Sequence, residues 1–118
     1  MMVEVPAAAL AIDLFEAEFF SIGSNDLIQY VTASGRDSTP LAPLQDPLQP
    51  AVLRLIREVV QRADAQGIPV SLCGDMASDV RCIPALLSVG LRCLSVAPAA
   101  VARVKAAIER YGVSRPKA

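Results

Sequence analysis

The sequence is poor in side chains that carry much of enzyme chemistry. It contains no histidine and no tryptophan, and aromatic residues make up only 4% of its 118 positions. The absence of histidine excludes Ser-His and Cys-His nucleophile pairs, histidine-ligated zinc and a phosphohistidine carried by this chain itself. Because 53% of the residues are nevertheless hydrophobic, we expect one domain, or part of one, with a largely aliphatic core.

Cysteine, excess charge and long apolar runs are also scarce. Cys73, Cys82 and Cys93 lack CxxC spacing, so we expect free thiols, with Cys82 and Cys93 in the core. The 11 basic and 12 acidic residues nearly balance, without the basic run typical of nucleic-acid binding. No stretch approaches the ~20 apolar residues of a membrane helix. We therefore expect a soluble, cytoplasmic protein that binds neither nucleic acid nor membranes.

Short apolar runs alternate with helical patterns along the chain. The predicted strands cover residues 2–5, 19–23, 68–72 and 93–96, and the predicted helices cover 7–18, 24–31, 50–66, 79–89 and 98–111. Leu10 and Leu14 are expected to face inward from the first helix, and Val52, Ile56 and Val59 from the third. The proline-rich stretch 34–50 is predicted to be a long surface loop.

This alternation of strands and helices predicts an α/β fold with parallel strands joined by right-handed crossovers. A complete (β/α)8 barrel needs about 250 residues, so in that architecture the chain would form an open arc of three to four βα units. An open arc exposes two sheet edges and inner apolar side chains, which favour pairing with a second copy of the chain. We therefore expect a homodimer.

Polar residues follow the predicted strands at their C-terminal ends, where parallel α/β folds place their active sites. Glu4 interrupts the first strand, Asn25 and Asp26 follow the second, and Cys73 follows the third. Because these ends share one rim, Glu4 and Asp26 can face each other, and such a pair suits Mg²⁺ with water and phosphate oxygens as further ligands. In the alternative interpretation, Asp26 only stabilises a helix N-terminus and Glu4 lies on an exposed edge.

Groups for anion binding and proton transfer are candidates at the same rim. Asn25 and the backbone N–H groups from Ser24 onward can receive an anionic oxygen at a helix N-terminus, unless they form an ordinary N-cap. Arg36 in the loop can bind a phosphate through two hydrogen bonds from its guanidinium group, or it can remain solvated. Cys73 is either a thiol at the mouth of the site that donates a proton to carbon or a small core residue.

Four ordered segments carry a family resemblance: MVEVPAA at 2–8, FFSIGSNDL at 19–27, PLQPAVL at 47–53 and LCGDMA at 72–77. Their order and spacing, over about residues 2–111, resemble the C-terminal part of enzyme I, the phosphoenolpyruvate-protein phosphotransferase family. Phosphoenolpyruvate synthases and pyruvate phosphate dikinases share the Gly-Ser/Thr-Asn-Asp and Cys-Gly motifs. The first segment and residues 47–56 look closer to enzyme I.

The resemblance implies the C-terminal portion of a phosphoenolpyruvate-binding (β/α)8 barrel over residues 1–112, with a tail at 113–118. It implies phosphoryl transfer from phosphoenolpyruvate to a histidine on a separate N-terminal domain, which passes the group to a phosphocarrier protein. By resemblance, Glu4 and Asp26 would bind Mg²⁺, Asn25 and Arg36 would bind the substrate phosphate, and Cys73 would protonate the enolate. Metal and cationic groups would neutralise the phosphoryl oxygens.

The sequence also departs from the family pattern. Gly35 stands where an acidic residue is usual, Asp75 stands where Glu is usual, and no acceptor histidine is present. We therefore expect a fragment of a longer enzyme that is inactive alone. The alternatives are a dimerisation module of that enzyme and a remnant of a phosphoenolpyruvate synthase or pyruvate phosphate dikinase. Sugar-transport, nitrogen-regulatory and multidomain parents all remain open.

Overall fold

A three-stranded parallel sheet lies at the centre of the molecule. The structure is a computed structural model and describes residues 1–32 and 48–114. Strands β1 (Met2–Val3), β2 (Phe20–Gly23) and β3 (Val70–Cys73) follow one another in the order β1-β2-β3, and both pairs are parallel. The predicted α/β class with parallel strands is therefore confirmed.

The predicted fourth strand is reduced to a single bridge. Leu94 pairs with Leu72 in the parallel direction, and the Leu72 N–H donates to the Cys93 carbonyl at 3.1 Å. A 3₁₀ helix begins at Pro98 soon afterwards. The segment therefore leaves the edge of β3 before a second residue pair forms.

The helices connect the strands and cover one face of the sheet. The α-helices are α1 (Pro6–Leu10), α2 (Ser24–Thr32), α3 (Pro50–Ala65), α4 (Asp75–Ser78), α5 (Ile83–Ser88) and α6 (Val101–Ser114), and 3₁₀ helices cover Ile12–Leu14 and Pro98–Ala100. In α3, Val52, Ile56 and Val59 are fully buried, as the helical spacing of its apolar residues predicts. Pro50 occupies the start of α3, where its missing N–H removes no helical hydrogen bond.

The prediction of a first helix over residues 7–18 is wrong both in the extent of the helix and in the face that the helix buries. The helix α1 is short, and Ala11, with φ −109° and ψ 28°, separates it from the 3₁₀ helix. With the helix broken at this point, the side chains of Ala9 and Ile12 face the core. Leu10 and Leu14, which we expected to face inward, are 59% and 78% exposed.

The helix predicted over residues 79–89 is also divided. Asp79 has an extended backbone between α4 and α5, and its Oδ1 accepts the Arg81 N–H at 3.0 Å. This turn lets α5 begin late, with Pro84 in its first turn, where proline is tolerated. Gly90, at φ +99°, follows the end of α5 as expected.

The core is aliphatic, as the composition predicts. Among the described residues Phe20 is the one fully buried aromatic side chain. The larger cluster packs the sheet against α1, α2 and α3 and includes Val3, Ile12, Ile22, Leu27, Ile56 and Leu72. A smaller cluster joins α5 to α6 through Ile83, Leu87, Ala100, Val104 and Ala107. None of the helices described is long and apolar enough to cross a membrane.

On the face of the sheet that points away from the core, β2 and β3 carry small polar side chains. Ser21, Ser71 and Cys73 lie half-buried on it, and Met2, which pairs with Ser21, is 49% exposed. The expectation that this face would expose apolar side chains holds for Met2 of β1 and is wrong for β2 and β3. Serine and cysteine occupy the alternate positions of β2 and β3 that point away from the core.

The two cysteines predicted to be core residues differ in their surroundings. Cys82 is buried, as expected, whereas Cys93 is exposed. Leu94 pairs with Leu72 and packs against the core. Because neighbouring residues of an extended segment point in opposite directions, Cys93 faces solvent.

Candidate functional site

The C-terminal ends of the three strands lie side by side and bring the predicted polar groups to one rim. Val3 pairs with Ile22, and Gly23 pairs with Cys73. Glu4 therefore follows β1 next to the point where β2 passes into α2, and Cys73 ends β3 on the other side. The Arg36 position lies outside the residues that the structure describes.

Two carboxyl groups meet at this rim. A side-chain hydrogen bond to Asp26 raises the pKa of Glu4, and desolvation and repulsion from the Asp26 charge raise it further. The raised pKa of Glu4 means that the nearby Asp26 carboxyl disfavours the charged form of Glu4. When both carboxyls are ionised they repel each other.

Gly23 makes room for the Glu4 carboxylate. A Cβ at position 23 would lie 3.1 Å from Glu4 Cβ, 3.2 Å from Glu4 Oε2 and 3.0 Å from Met2 Sδ. These distances are shorter than ordinary van der Waals contacts. The glycine at the end of β2 therefore allows the Glu4 side chain to lie across the strand end toward Asp26.

The carboxyl pair fits a divalent cation of the magnesium type. Its donors are hard oxygens, and a cation between the two carboxylates would cancel their repulsion. Within residues 1–32 and 48–114, no group of three or more His, Cys, Asp or Glu side chains is placed to hold a metal ion. Two protein carboxylates with water and substrate oxygens completing the shell is a common magnesium arrangement.

Asn25 lies at the start of α2 with a fixed amide orientation. Its Oδ1 accepts the Asp75 N–H at 3.0 Å. Because a backbone N–H can only donate, the oxygen of the amide must face Asp75. The NH₂ group of Asn25 is then the part that can donate to an anion, together with the N–H groups of the first turn of α2, which have no partner within the helix.

Ser24 forms a buried contact with the neighbouring strand end. Its side chain is fully buried, and Oγ donates to the Cys73 carbonyl at 2.6 Å. The hydrogen bonds described for the Ser24 and Asn25 side chains therefore cross to the turn after β3 instead of capping α2. Because Ser24 is fully buried, the structure exposes neither its hydroxyl nor its backbone N–H at the rim.

Gly74 permits this close approach of two turns. Its φ is +106°, in a region that other residues rarely adopt. A Cβ at position 74 would collide with Ser24 Oγ and would lie 3.0 Å from Asn25 Oδ1. Gly74 is thus required by the packing of the β3–α4 turn against the start of α2.

The Cys73 thiol lies at the rim and outside the core. Cys73 Sγ donates to the Ile22 carbonyl at 3.5 Å and accepts the Ser21 hydroxyl at 3.9 Å. Ser21 is not among the site residues predicted from the sequence. The sequence does contain a feature that could have indicated it. Ser21 is a polar residue inside an apolar strand, and its position places it on the face opposite to the buried Phe20 and Ile22.

A groove of about 580 Å³ lies elsewhere, between α1, α2 and α3. Its lining includes Leu10, Tyr30, Arg54 and Leu55, and it contains none of the predicted site residues. The candidate site is therefore the rim of the sheet and not this groove.

Comparison with known proteins gives a family match and a set of close relatives. The family model described as PEP-utilising enzyme, PEP-binding domain matches residues 1–113. Proteins named phosphoenolpyruvate-protein phosphotransferase are 47% identical over 106 residues in Cupriavidus necator and 45% identical over 112 residues in Geobacillus stearothermophilus. These matches cover 88% and 93% of this chain but 18% and 19% of the relatives. The chain thus spans about a fifth of the length of the curated relatives it matches.

Proposed function

Because the chain belongs to the family of PEP-binding domains of PEP-utilising enzymes, we propose that it supplies part of the phosphoenolpyruvate site of a phosphoenolpyruvate-protein phosphotransferase. The observation that carries the proposal is the pair of facing carboxyls, Glu4 and Asp26, beside the N-terminus of α2. In this proposal the described strands are the C-terminal part of a (β/α)8 barrel. The two relatives named above are phosphotransferases, which favours enzyme I over a synthase or dikinase.

Glu4 and Asp26 hold Mg²⁺ in this proposal. When bound, the ion neutralises negative charge on the phosphoryl oxygens of the substrate. The raised pKa of Glu4 supports the assignment, because two carboxyls kept together in the absence of a cation favour the binding of one. Gly23 keeps the Glu4 carboxylate at the rim where the ion would bind.

The phosphate group binds at the start of α2. Asn25 donates through its NH₂ group, and the N-terminal end of the helix favours the negative charge. We assign Arg36 to the same phosphate on the strength of the sequence resemblance alone. The contact between Asn25 and Asp75 keeps the amide in the donating orientation.

Cys73 acts at the carbon end of the substrate. Once the phosphoryl group has left, the enolate takes a proton at carbon from the Cys73 thiol and becomes pyruvate. The acceptor of the phosphoryl group is a histidine of another domain of the parent enzyme, since this chain contains no histidine. That domain passes the group to a phosphocarrier protein in the cytoplasm, and the chain alone has no turnover.

A second function, homodimer assembly, is favoured by the open edge of the sheet. Among the described residues β1 pairs with β2 alone, so its other edge offers unpaired backbone groups. Apolar side chains near β1 and the start of β2 are also exposed, including Val5 at 39% and Phe19 at 54%. We propose that these features contact a second copy when the chain is alone, whereas in the assembled barrel a preceding strand would pair with this edge.

The substrate assignment is tested by following amide chemical shifts during titration with phosphoenolpyruvate, with and without Mg²⁺. We expect magnesium-dependent shifts at Glu4, Asn25 and Gly74, and their loss in Asp26→Asn. Asp64→Asn is the matched control. Asp64 is an exposed carboxylate in the last turn of α3, and this helix leads into the N-terminal end of β3, away from the rim. Shifts that persist in Asp26→Asn, or no shifts at millimolar ligand, would overturn the assignment.

A further inference from the structure

A hydroxyl lies beside the thiol at the rim of the sheet. Ser21 Oγ donates to Cys73 Sγ at 3.9 Å, and Cys73 Sγ donates to the Ile22 carbonyl at 3.5 Å. We propose that Ser21 is a positioning residue for Cys73, which holds the sulfur at the rim and stabilises the thiolate left after proton transfer. This inference rests on the proposed function, in which the Cys73 thiol gives its proton to carbon.

The register of the sheet explains why these two side chains meet. Ser21 pairs with Ser71, and Cys73 lies two residues further along β3, so Ser21 and Cys73 are diagonal neighbours on the same face. The backbone carbonyl of Ile22 belongs to the strand that also carries Ser21. The thiol therefore lies between one donor and one acceptor that are both fixed to β2.

The two partners of the thiol differ once the proton has moved. The S–H bond breaks, a C–H bond forms at the enolate carbon, and the electron pair of the S–H bond stays on sulfur. The Ile22 carbonyl can only accept a hydrogen bond and loses its partner at this point. The Ser21 hydroxyl still donates, and a hydrogen bond to a charged acceptor is stronger than one to a neutral acceptor. Water then returns a proton to the sulfur.

The inference is tested by the rate at which iodoacetamide alkylates Cys73, because the thiolate is the reacting form. Trypsin cuts after Arg62, Arg81, Arg92 and Arg103, so the three cysteines fall in separate peptides and are quantified separately by mass spectrometry. Cys93 is exposed and serves as the internal reference, while protection of the buried Cys82 reports that each variant is folded. Alkylation needs no substrate, so this test is independent of the phosphoenolpyruvate titration.

Ser21→Ala should slow alkylation of Cys73 relative to Cys93 by about two- to tenfold, the range for the loss of one hydrogen bond. Ser71→Ala is the matched control, because Ser71 pairs with Ser21 on the same face, and it should leave the ratio unchanged. Ser21→Thr and Ser21→Val have the same shape, so the threonine variant should keep the ratio and the valine variant should lower it. An unchanged or faster rate in Ser21→Ala, equal loss in Ser71→Ala, or equal ratios in the threonine and valine variants would overturn the inference.

Discussion

At the scale of single residues, the facing carboxyls make the stability of the fold depend on pH. The pKa of Glu4 is raised, chiefly by its hydrogen bond to Asp26. A carboxyl whose folded-state pKa lies above its unfolded value contributes stability that is present below the unfolded pKa and is lost as pH rises through the folded value. The carboxyl pair is therefore less favourable at neutral pH than at acidic pH unless a cation lies between the two groups.

Replacing Asp26 should remove this dependence. In Asp26→Asn the repulsion disappears and the amide can donate to ionised Glu4, so the pKa of Glu4 should fall toward its ordinary range. As pH rises from acidic to neutral, the free energy of unfolding should therefore fall by less in the variant than in the parent protein. Carboxyl-carbon NMR titration of Glu4, with urea unfolding at both pH values, measures both effects. If Asp64→Asn produces the same changes, the pairing of Glu4 with Asp26 is not their cause.

Sequence reasoning located most of the polar groups at the rim but missed their local partners. Asn25 and Asp26 were predictable because they follow an apolar run that indicates a buried strand, and Glu4 because it interrupts such a run. Ser21 was not, since a lone serine inside a strand acquires meaning only when the register places Cys73 beside it. The exposure of Cys93 likewise depends on which neighbour, Leu94, pairs with β3.

At the scale of structural elements, the site depends on the contact between the start of α2 and the turn after β3. Ser24 and Asn25 each make one hydrogen bond across this contact. Gly74 supplies both the positive φ and the space that these bonds require. The start of α2 and the thiol at the end of β3 are therefore held by the same glycine.

Gly74→Ala should destabilise the protein by roughly 1–3 kcal/mol, the cost of a strained backbone conformation, with a further cost from the collision with Ser24. Gly67→Ala is the matched control, because Gly67 also has a positive φ, +70°, but a Cβ there meets nothing within 4 Å. Urea unfolding of the two variants should show a larger loss for Gly74→Ala. An equal loss of unfolding free energy in the two variants would mean that only the positive φ, and not the contact with Ser24, requires glycine at position 74.

The elements themselves were predictable where one pattern dominated. The helix α3 has an apolar stripe at helical spacing and a proline at its start, and its observed extent agrees with the prediction to one residue. The first helix was mispredicted because Leu10 and Leu14 fit the same spacing, while the break at Ala11 that turns them outward has no clear sequence signal. The fourth strand shortened because Pro98 begins a new helix close to Leu94.

At the scale of the whole molecule, the sheet ends at β1 with an unpaired edge among the described residues. We expect the chain to form a homodimer through this region, with a mass that rises with concentration in sedimentation equilibrium. Phe19→Lys should weaken the association, since Phe19 is 54% exposed at the start of β2 and a charge there replaces apolar surface that the second copy would cover. Gln61→Lys, at an exposed position on α3, should leave it unchanged. A monomer at every concentration would exclude self-association of this chain.

The most direct test of the central claim is to locate a bound divalent cation. Mn²⁺ accepts the same carboxylate and water ligands as Mg²⁺, and its unpaired electrons broaden the NMR signals of nearby nuclei. We predict that the amide signals of Glu4, Asp26 and Gly74 broaden first, that Mg²⁺ reverses the effect, and that Asp26→Asn abolishes it while Asp64→Asn does not. Broadening centred elsewhere, or unchanged broadening in Asp26→Asn, would contradict the assignment of Glu4 and Asp26 as the metal site.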